Sequence, residues 1–191
     1  MSVPAGPSLW RRAVKRARVP LGFLFAGVYL VFAHPGGRSL LAGLLLVLPG
    51  IALRAYASGY VKKNAELTMT GPYAYTRNPL YLGSMLVAFG FAIASRNGWI
   101  AVALAALFAA VYWPTMLGEE AYLRSRFEGF DAYTRNVPRL LPRLLPWAQG
   151  EGAPAGGQFS WELYWKHREY NSLLGSTILY VALIAKMLWR G

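Results

Sequence analysis

The residues best suited to chemistry lie in one short polar stretch between two apolar regions. This stretch runs from position 71 to position 83 and reads GPYAYTRNPLYLG. Pro79 suits the first turn of a helix, because that position leaves its N–H unpaired. Arg77 and Asn78 therefore precede a helix, where free N–H groups and the positive end of the dipole favour an anion. The planar guanidinium of Arg77 suits a carboxylate. The alternative is a turn beside a membrane with interfacial arginine and tyrosines.

A second candidate is the carboxylate pair Glu119 and Glu120, at the end of a long apolar segment. Adjacent carboxylates repel each other, and negative charge at a helix C-terminus opposes the helix dipole. The placement therefore predicts a cationic partner. That partner is either a ligand or a protein group such as Arg77 or Arg124, in which case the pair only marks the cytoplasmic interface.

Composition indicates a membrane protein. The chain has 191 residues, 55% of them hydrophobic, with a mean hydropathy of +0.31. Its net charge of +12 comes from basic residues between apolar segments, which favours anionic lipid headgroups over nucleic acid as a partner. There is no cysteine, and His34 and His167 are far apart, so no metal site is predicted.

The apolar segments predict an all-α, polytopic integral membrane protein with about five transmembrane helices and cytosolic interfacial helices. Interfacial helices are predicted at 121–143 and from Trp161. The predicted organisation is a basic cytoplasmic segment at 1–18, transmembrane helices one and two at 19–60, a catalytic core with helices three and four and an interfacial helix at 61–145, a linker at 146–160, and an interfacial helix and helix five at 161–191.

The connection at 95–98 is so short that segments three and four must form an antiparallel helical hairpin. Both segments are long enough to cross a hydrocarbon core of about 30 Å. The start of segment three and the end of segment four therefore emerge on the same side. This predicts that Arg77 and Tyr81 lie near Glu119 and Glu120.

The charge distribution predicts the orientation. With the N-terminus in the cytoplasm, that side carries five Lys and Arg before segment one, four between segments two and three, and seven between segments four and five, against four elsewhere. The positive-inside rule favours this topology. The candidate site would then face the cytosol, from the plasma membrane or from a bacterial inner membrane.

Three motifs now carry a resemblance. They are the stretch from Gly71 to Gly83, then Glu119-Glu120-Ala121-Tyr122-Leu123, then Tyr133 with Val137-Pro138-Arg139. Together they resemble the C-terminal core of the isoprenylcysteine carboxyl methyltransferase and phospholipid methyltransferase superfamily, over roughly 67–142. The resemblance implies an integral membrane methyltransferase. It would bind S-adenosylmethionine at the cytosolic face and take a lipophilic or lipid acceptor from the membrane.

The resemblance transfers to individual positions. Those that match the family's Arg-His-Pro-x-Tyr and Glu-Glu motifs are Arg77, Pro79, Tyr81, Glu119 and Glu120. Asn78 stands where the family has histidine. An amide cannot titrate near neutral pH, so Asn78 cannot serve an acid or base role that a histidine could.

The chemistry of S-adenosylmethionine fits the same residues. Arg77 would bind its carboxylate, Glu119 or Glu120 its ammonium or ribose hydroxyls, and a tyrosine would face the sulfonium by a cation–π contact. The candidate catalytic residues are Arg77, Asn78, Tyr81 and Glu120. The candidate cofactor-binding residues are Tyr73, Tyr75, Arg77, Asn78, Pro79, Tyr81, Glu119 and Glu120.

Other readings stay open on the sequence alone. The acceptor could be a carboxylate or an amine, and Glu162, His167 and Glu169 could reach its site or merely accompany an aromatic belt. Arg54 is expected to snorkel to the interface. A membrane reductase of the sterol reductase type using NADPH, or a non-enzymatic scaffold or small transporter, are the alternatives. No G-x-G-x-x-G follows a predicted strand, which disfavours a soluble Rossmann-type methyltransferase. The oligomeric state is not predicted.

Overall fold

The computed structural model describes residues 24–62, 66–147 and 157–190, and within these ranges the chain is helical with connecting loops and no strand. The predicted all-α class is confirmed. The helices are α1 at 24–32, α2 at Gly37–Ser58, α3 at Pro79–Ser95, α4 at Gly98–Arg126, α5 at Phe130–Asn136, α6 at Trp161–His167 and α7 at Tyr170–Arg190. A short 3₁₀ turn, Gly71–Ala74, precedes α3, and α4 contains a π-helical turn at Phe108–Tyr112.

Three of these helices are long and apolar enough to cross a membrane, namely α2, α4 and α7, and α3 is apolar but has 17 residues. They support an integral membrane protein. The prediction of about five spans is not confirmed by the described residues. The basic segment at 1–18 and the first part of the predicted first span lie outside them.

Helices α2 and α3 form the centre of the bundle and run antiparallel along two pairs of facing glycines. A Cβ atom added to Gly43 would lie 2.5 Å from the carbonyl oxygen of Gly90, and one on Gly50 would lie 2.8 Å from that of Gly83. The backbones therefore touch, as small residues allow between membrane helices. We call these four residues the glycine seam.

Helices α1 and α7 pack around the glycine seam through buried tyrosines. The hydroxyl of Tyr29 donates to the carbonyl of Phe91 at 2.8 Å, and that of Tyr180 donates to the carbonyl of Leu40 at 3.0 Å. Each hydroxyl thus has a partner away from water, as a buried polar group requires. These contacts hold four helices together as one core.

The α3–α4 hairpin is confirmed. Helix α3 ends at Ser95, the next residue, Arg96, has a left-handed φ of 51°, and the Asn97 side chain accepts the N–H of Trp99 at 3.0 Å. Helix α4 then continues to Arg126, into the range predicted for an interfacial helix. The prediction of one interfacial helix over 121–143 is wrong. Gly129, with a φ of 85°, lies in the turn that separates α4 from α5, and Pro138 cannot continue a helix.

We expect Asn97→Ala to destabilise the protein by about 1 kcal/mol, because it removes the N-cap of α4. It also removes a hydrogen bond from the Asn97 amide to the carbonyl of Phe32 at 2.9 Å. Thermal unfolding in detergent would measure the change. Asn136→Ala is the matched control, since it removes one exposed bond within α5. Equal losses in the two variants would contradict a capping role.

The predicted linker at 146–160 stays a prediction, because 148–156 lie outside the described residues. Both described flanks are held by the helical core. The N–H of Trp147 donates to the carbonyl of Ala74 at 2.9 Å, and that of Ser160 to the carbonyl of Gly59 at 2.9 Å. The second contact places α6 beside the end of α2, so the start of α7 lies at the same end of the bundle as the start of α3.

Candidate active site at the start of α3

The hairpin brings the two sequence candidates together, as predicted. Arg77 lies just before α3, and Glu120 lies in the last part of α4. Their side chains meet with 3.3 Å between Arg77 Nη1 and Glu120 Oε2. Two residues 43 positions apart are thus joined because the chain turns back at 95–98 and Glu120 lies about as far along α4 from this turn as Arg77 lies before it.

Glu120 lies at the centre of a buried ion cluster. It is 6% exposed, and its carboxylate accepts two further hydrogen bonds from Arg139, from Nε to Oε1 and from Nη2 to Oε2, both at 2.9 Å. Two guanidiniums therefore surround one carboxylate, which leaves one surplus positive charge. Arg139 was not among the predicted site residues, although it lies within the Val-Pro-Arg motif of the resemblance.

Burial and pairing shift the pKa values of the two arginines in opposite directions. Burial lowers the pKa of Arg77, while the negative charge of Glu120 acts against that shift. The hydrogen bond to Glu120 raises the pKa of Arg139. Within the described residues, Nε of Arg77 is buried without a hydrogen-bond partner. A buried donor with no acceptor is costly, so an anionic ligand that reached this atom would remove that cost.

Asn78 organises the cluster from the N-cap position of α3. Its side chain does not cap the helix. The amide Nδ2 instead donates to the carbonyl of Arg139 at 3.0 Å and, at 3.4 Å, to Oε1 of Glu120. Pro79 follows it and is also buried. The amide therefore holds the Glu120 carboxylate and the Arg139 backbone together, which needs two donors and no titration.

Glu119 differs from its neighbour in being exposed. The side chain of Tyr81, in the first turn of α3, lies beside its carboxylate. The Tyr81 ring in turn meets the ring of Tyr112 edge to face, with centroids 5.6 Å apart. Of the two adjacent carboxylates, Glu119 is therefore the accessible one, and Glu120 is already neutralised by the protein.

The other two predicted tyrosines lie on the 3₁₀ turn and just after it. Tyr73 is buried, and its carbonyl accepts the hydroxyl of Tyr133 at 2.7 Å. Burial first, and then nearby Tyr133, Glu119 and Glu169, raise the pKa of Tyr73. Tyr75 is exposed, and its described contacts are those of its backbone. Among the tyrosines, Tyr81 is thus the one that borders the accessible carboxylate.

An irregular segment at 137–147 braces the site. The N–H of Arg77 donates to the carbonyl of Pro138 at 2.9 Å, and the Thr76 hydroxyl lies 3.0 Å from the carbonyl of Leu140. The N–H of Arg143 donates to the carbonyl of Tyr75 at 3.0 Å. These contacts hold the segment against 74–78 and so place Arg139 beside Glu120.

A second ion pair was not predicted. Arg54 donates to Glu169, from Nε to Oε2 at 3.1 Å and from Nη2 to Oε1 at 3.0 Å. The carboxylate is partly buried and lies just before α7, and the snorkelling of Arg54 to the interface stays a prediction. Of the three residues considered near an acceptor, Glu162 is exposed and His167 Nδ1 contacts the carbonyl of Ser58, so Glu169 alone joins this pair.

Comparison with known proteins identifies related sequences. A family model described as "Phospholipid methyltransferase" matches residues 39–129. The chain is 35% identical over 108 residues to the nickel-cobalt-cadmium resistance protein NccN of Alcaligenes xylosoxydans xylosoxydans, covering 55% of this chain and 50% of that protein. It is 32% identical over 158 residues to the cobalt-zinc-cadmium resistance protein CzcN of Cupriavidus metallidurans, covering 75% of this chain and 72% of that protein.

The match spans half the length of the first relative and most of the second. No solved structure matches the chain. Although both relatives carry metal resistance in their names, no group of three or more His, Cys, Asp or Glu side chains arranged to hold a metal occurs among the described residues.

Proposed function

Because the chain belongs to the phospholipid methyltransferase family, we propose that it transfers a methyl group from S-adenosylmethionine to a lipophilic acceptor delivered by the membrane. One observation carries the proposal. The Arg77, Glu120 and Arg139 cluster has one surplus positive charge and a buried, unpartnered donor, and the accessible carboxylate of Glu119 lies beside it.

This arrangement fits the charges of S-adenosylmethionine. The amino acid end of S-adenosylmethionine carries a carboxylate and an ammonium. The site offers a surplus positive charge for the first and a free carboxylate for the second, at neighbouring positions. Arg77 would hold the carboxylate by its planar fork. Glu119 would hold the ammonium or the ribose hydroxyls. Glu120 would then act through the arginines that it positions, rather than by touching the cofactor as first predicted.

The bound cofactor would supply an activated methyl group on a positively charged sulfur. The protein would bind and orient the cofactor and exclude water from the site. Tyr81 places its ring beside Glu119 and Tyr112, where an aromatic face can stabilise a cation. Burial of Arg77 and Glu120 keeps their geometry fixed, and positioning of this kind supplies much of the acceleration of a displacement reaction. We further propose that the site faces the cytosol, because the predicted loops on its side of the membrane carry most of the Lys and Arg residues.

The test is calorimetric titration of detergent-purified protein with S-adenosylhomocysteine and, separately, with NADPH. We expect saturable binding of S-adenosylhomocysteine and none of NADPH. Thermal unfolding of the same sample shows that the protein is folded. NADPH binding without S-adenosylhomocysteine binding would instead favour a membrane reductase. Binding of neither to folded protein would favour a scaffold or small transporter.

A further inference from the structure

Three exposed leucines lie outside any helix, beside the candidate site. They are Leu141, Leu144 and Leu145, which are 73%, 97% and 72% exposed. Three prolines in the irregular segment at 137–147, which we call the leucine segment, prevent it from continuing as a helix. Exposed apolar side chains gathered in this way mark a surface that binds an apolar partner.

The leucine segment is held in place although it is irregular. Its backbone bonds to 74–77 through the carbonyl of Pro138, the N–H of Arg143 and the N–H of Trp147. The three leucines lie between these points. Their exposure therefore follows from a fixed backbone path that leaves them outside the helical core.

The leucine segment lies near the edge of the membrane. It contacts the residues just before α3. Helix α3 has 17 residues, so it is about 26 Å long from the hairpin at 95–98 back to its start. The hydrocarbon core of a bilayer is about 30 Å thick. The leucines are therefore level with the headgroups and the first acyl carbons of one leaflet.

The leucine segment and the residues before it are also basic. From 135 to 147 the sequence has three arginines and no acidic residue. Arg139 is bound by Glu120. Among the described residues, Arg135 is exposed and has no ion pair, and the side chain of Arg143 donates to an uncharged backbone carbonyl. Two positive charges thus remain beside the leucines, and basic side chains beside apolar ones fit an anionic lipid surface.

We propose that the leucine segment docks into the lipid interface on the side of the candidate site, with its leucines among the acyl chains and Arg135 and Arg143 on anionic headgroups. The bilayer that α2, α4 and α7 can cross lies next to it. A second copy of this chain would instead bring the same positive charges against it, which is unfavourable. Docking needs no cofactor, so it goes beyond the proposed function.

Docking would also affect the candidate site, because the leucine segment carries Arg139. Its backbone bonds place Arg139 beside Glu120. A segment anchored in lipid would hold this pair more firmly than a segment in detergent, and a site held in its binding geometry binds more tightly. This consequence alone rests on the proposed function.

The experiment uses a single fluorescent label, since the chain has no cysteine of its own. Leu144→Cys is labelled with NBD and reconstituted into vesicles of phosphatidylcholine and phosphatidylglycerol, with and without lipids that carry a nitroxide on the acyl chain. We expect blue-shifted emission that the nitroxide lipids quench. Glu128→Cys is the control, because Glu128 is exposed and follows the end of α4, about 10 Å past the first charged residue of that helix. Its label should emit as in water.

Two outcomes would overturn the proposal. If the label at position 144 emits as in water, the leucines face solvent. If its emission is blue-shifted but nitroxide lipids do not quench it, a protein surface such as a second copy covers the leucines. Thermal unfolding of both labelled variants first shows that they are folded.

Arg135→Gln should weaken docking, because it removes one of the two positive charges. The quenching gained when phosphatidylglycerol is added to phosphatidylcholine vesicles should fall by about half. Arg38→Gln, at the start of α2 and so at the other end of the bundle, is the matched control and should change nothing. An undiminished gain in Arg135→Gln would contradict the contact with anionic headgroups.

Titration with S-adenosylhomocysteine separates docking from the proposed function. We expect severalfold higher affinity in the anionic vesicles than in uncharged detergent, and Leu144→Ser combined with Leu145→Ser should remove this gain. If lipids quench the label and S-adenosylhomocysteine binds in neither medium, docking stands and the proposed function fails. If S-adenosylhomocysteine binds and lipids do not quench the label, the proposed function stands and docking fails. Equal affinity in the two media would contradict the effect on the site.

Discussion

Glu120→Gln should abolish detectable binding of S-adenosylhomocysteine and lower the unfolding temperature by several degrees. The carboxylate lies between the guanidiniums of Arg77 and Arg139 and is their shared partner. Removing one partner of a buried ion pair costs about 3–5 kcal/mol, because the remaining charge stays buried and unpaired. Here two positive charges would face each other. Calorimetric titration and thermal unfolding of the same sample measure both effects.

Two further variants separate stability from binding. Glu66→Gln is the control, because it removes an exposed carboxylate that pairs with Lys62 and should change neither quantity. Arg77→Lys keeps the positive charge but loses the planar fork, so affinity should fall about tenfold while the protein stays folded. Unchanged S-adenosylhomocysteine binding in Glu120→Gln would show that the cluster is not part of the site.

The second large effect is expected in the glycine seam. Gly43→Ala adds a methyl group 2.5 Å from the backbone oxygen of Gly90 and 2.7 Å from the hydroxyl of Tyr180. A backbone oxygen cannot rotate away as a side chain can, so α2 and α3 must separate. Overpacking of this kind costs about 1–3 kcal/mol. The unfolding temperature of the purified protein should fall accordingly.

The same substitution has a matched control in another long helix. Gly175 lies inside α7, and a Cβ atom there would meet nothing within 4 Å. Alanine is the better helix former by up to about 1 kcal/mol, so Gly175→Ala should leave stability unchanged or raise it. If Gly43→Ala were equally harmless, the close approach of α2 and α3 would be wrong.

The sequence predicted the meeting of Arg77 with Glu120 because it depends on lengths alone. A short connection and two long apolar segments leave one way to fold a hairpin. Arg139 was not predicted as a partner, because its position depends on the path of an irregular segment that no periodicity describes. The contact between Arg54 and Glu169 joins residues 115 positions apart and leaves no local pattern.

The glycine seam did leave a pattern that was not used. Its glycines are seven residues apart on each helix, at 43 and 50 in α2 and at 83 and 90 in α3. Seven residues are close to two helical turns, so each pair lies on one face. Small residues repeated on one face of an apolar segment indicate close helix packing. This signal was available from the sequence alone.

The glycine seam also sets the height in the membrane of the charged layer that Arg54 and Ser84 form. Gly50 and Arg54 are one turn apart on α2, and Gly83 directly precedes Ser84 on α3. Sliding one helix by a turn, about 5.4 Å, would press side chains into the space that the glycines leave. The two helices therefore have one register. A thicker or thinner bilayer would tilt or deform around this pair. Arg54 and Ser84 would stay level with each other, so the height of the charged layer follows protein packing and not lipid length.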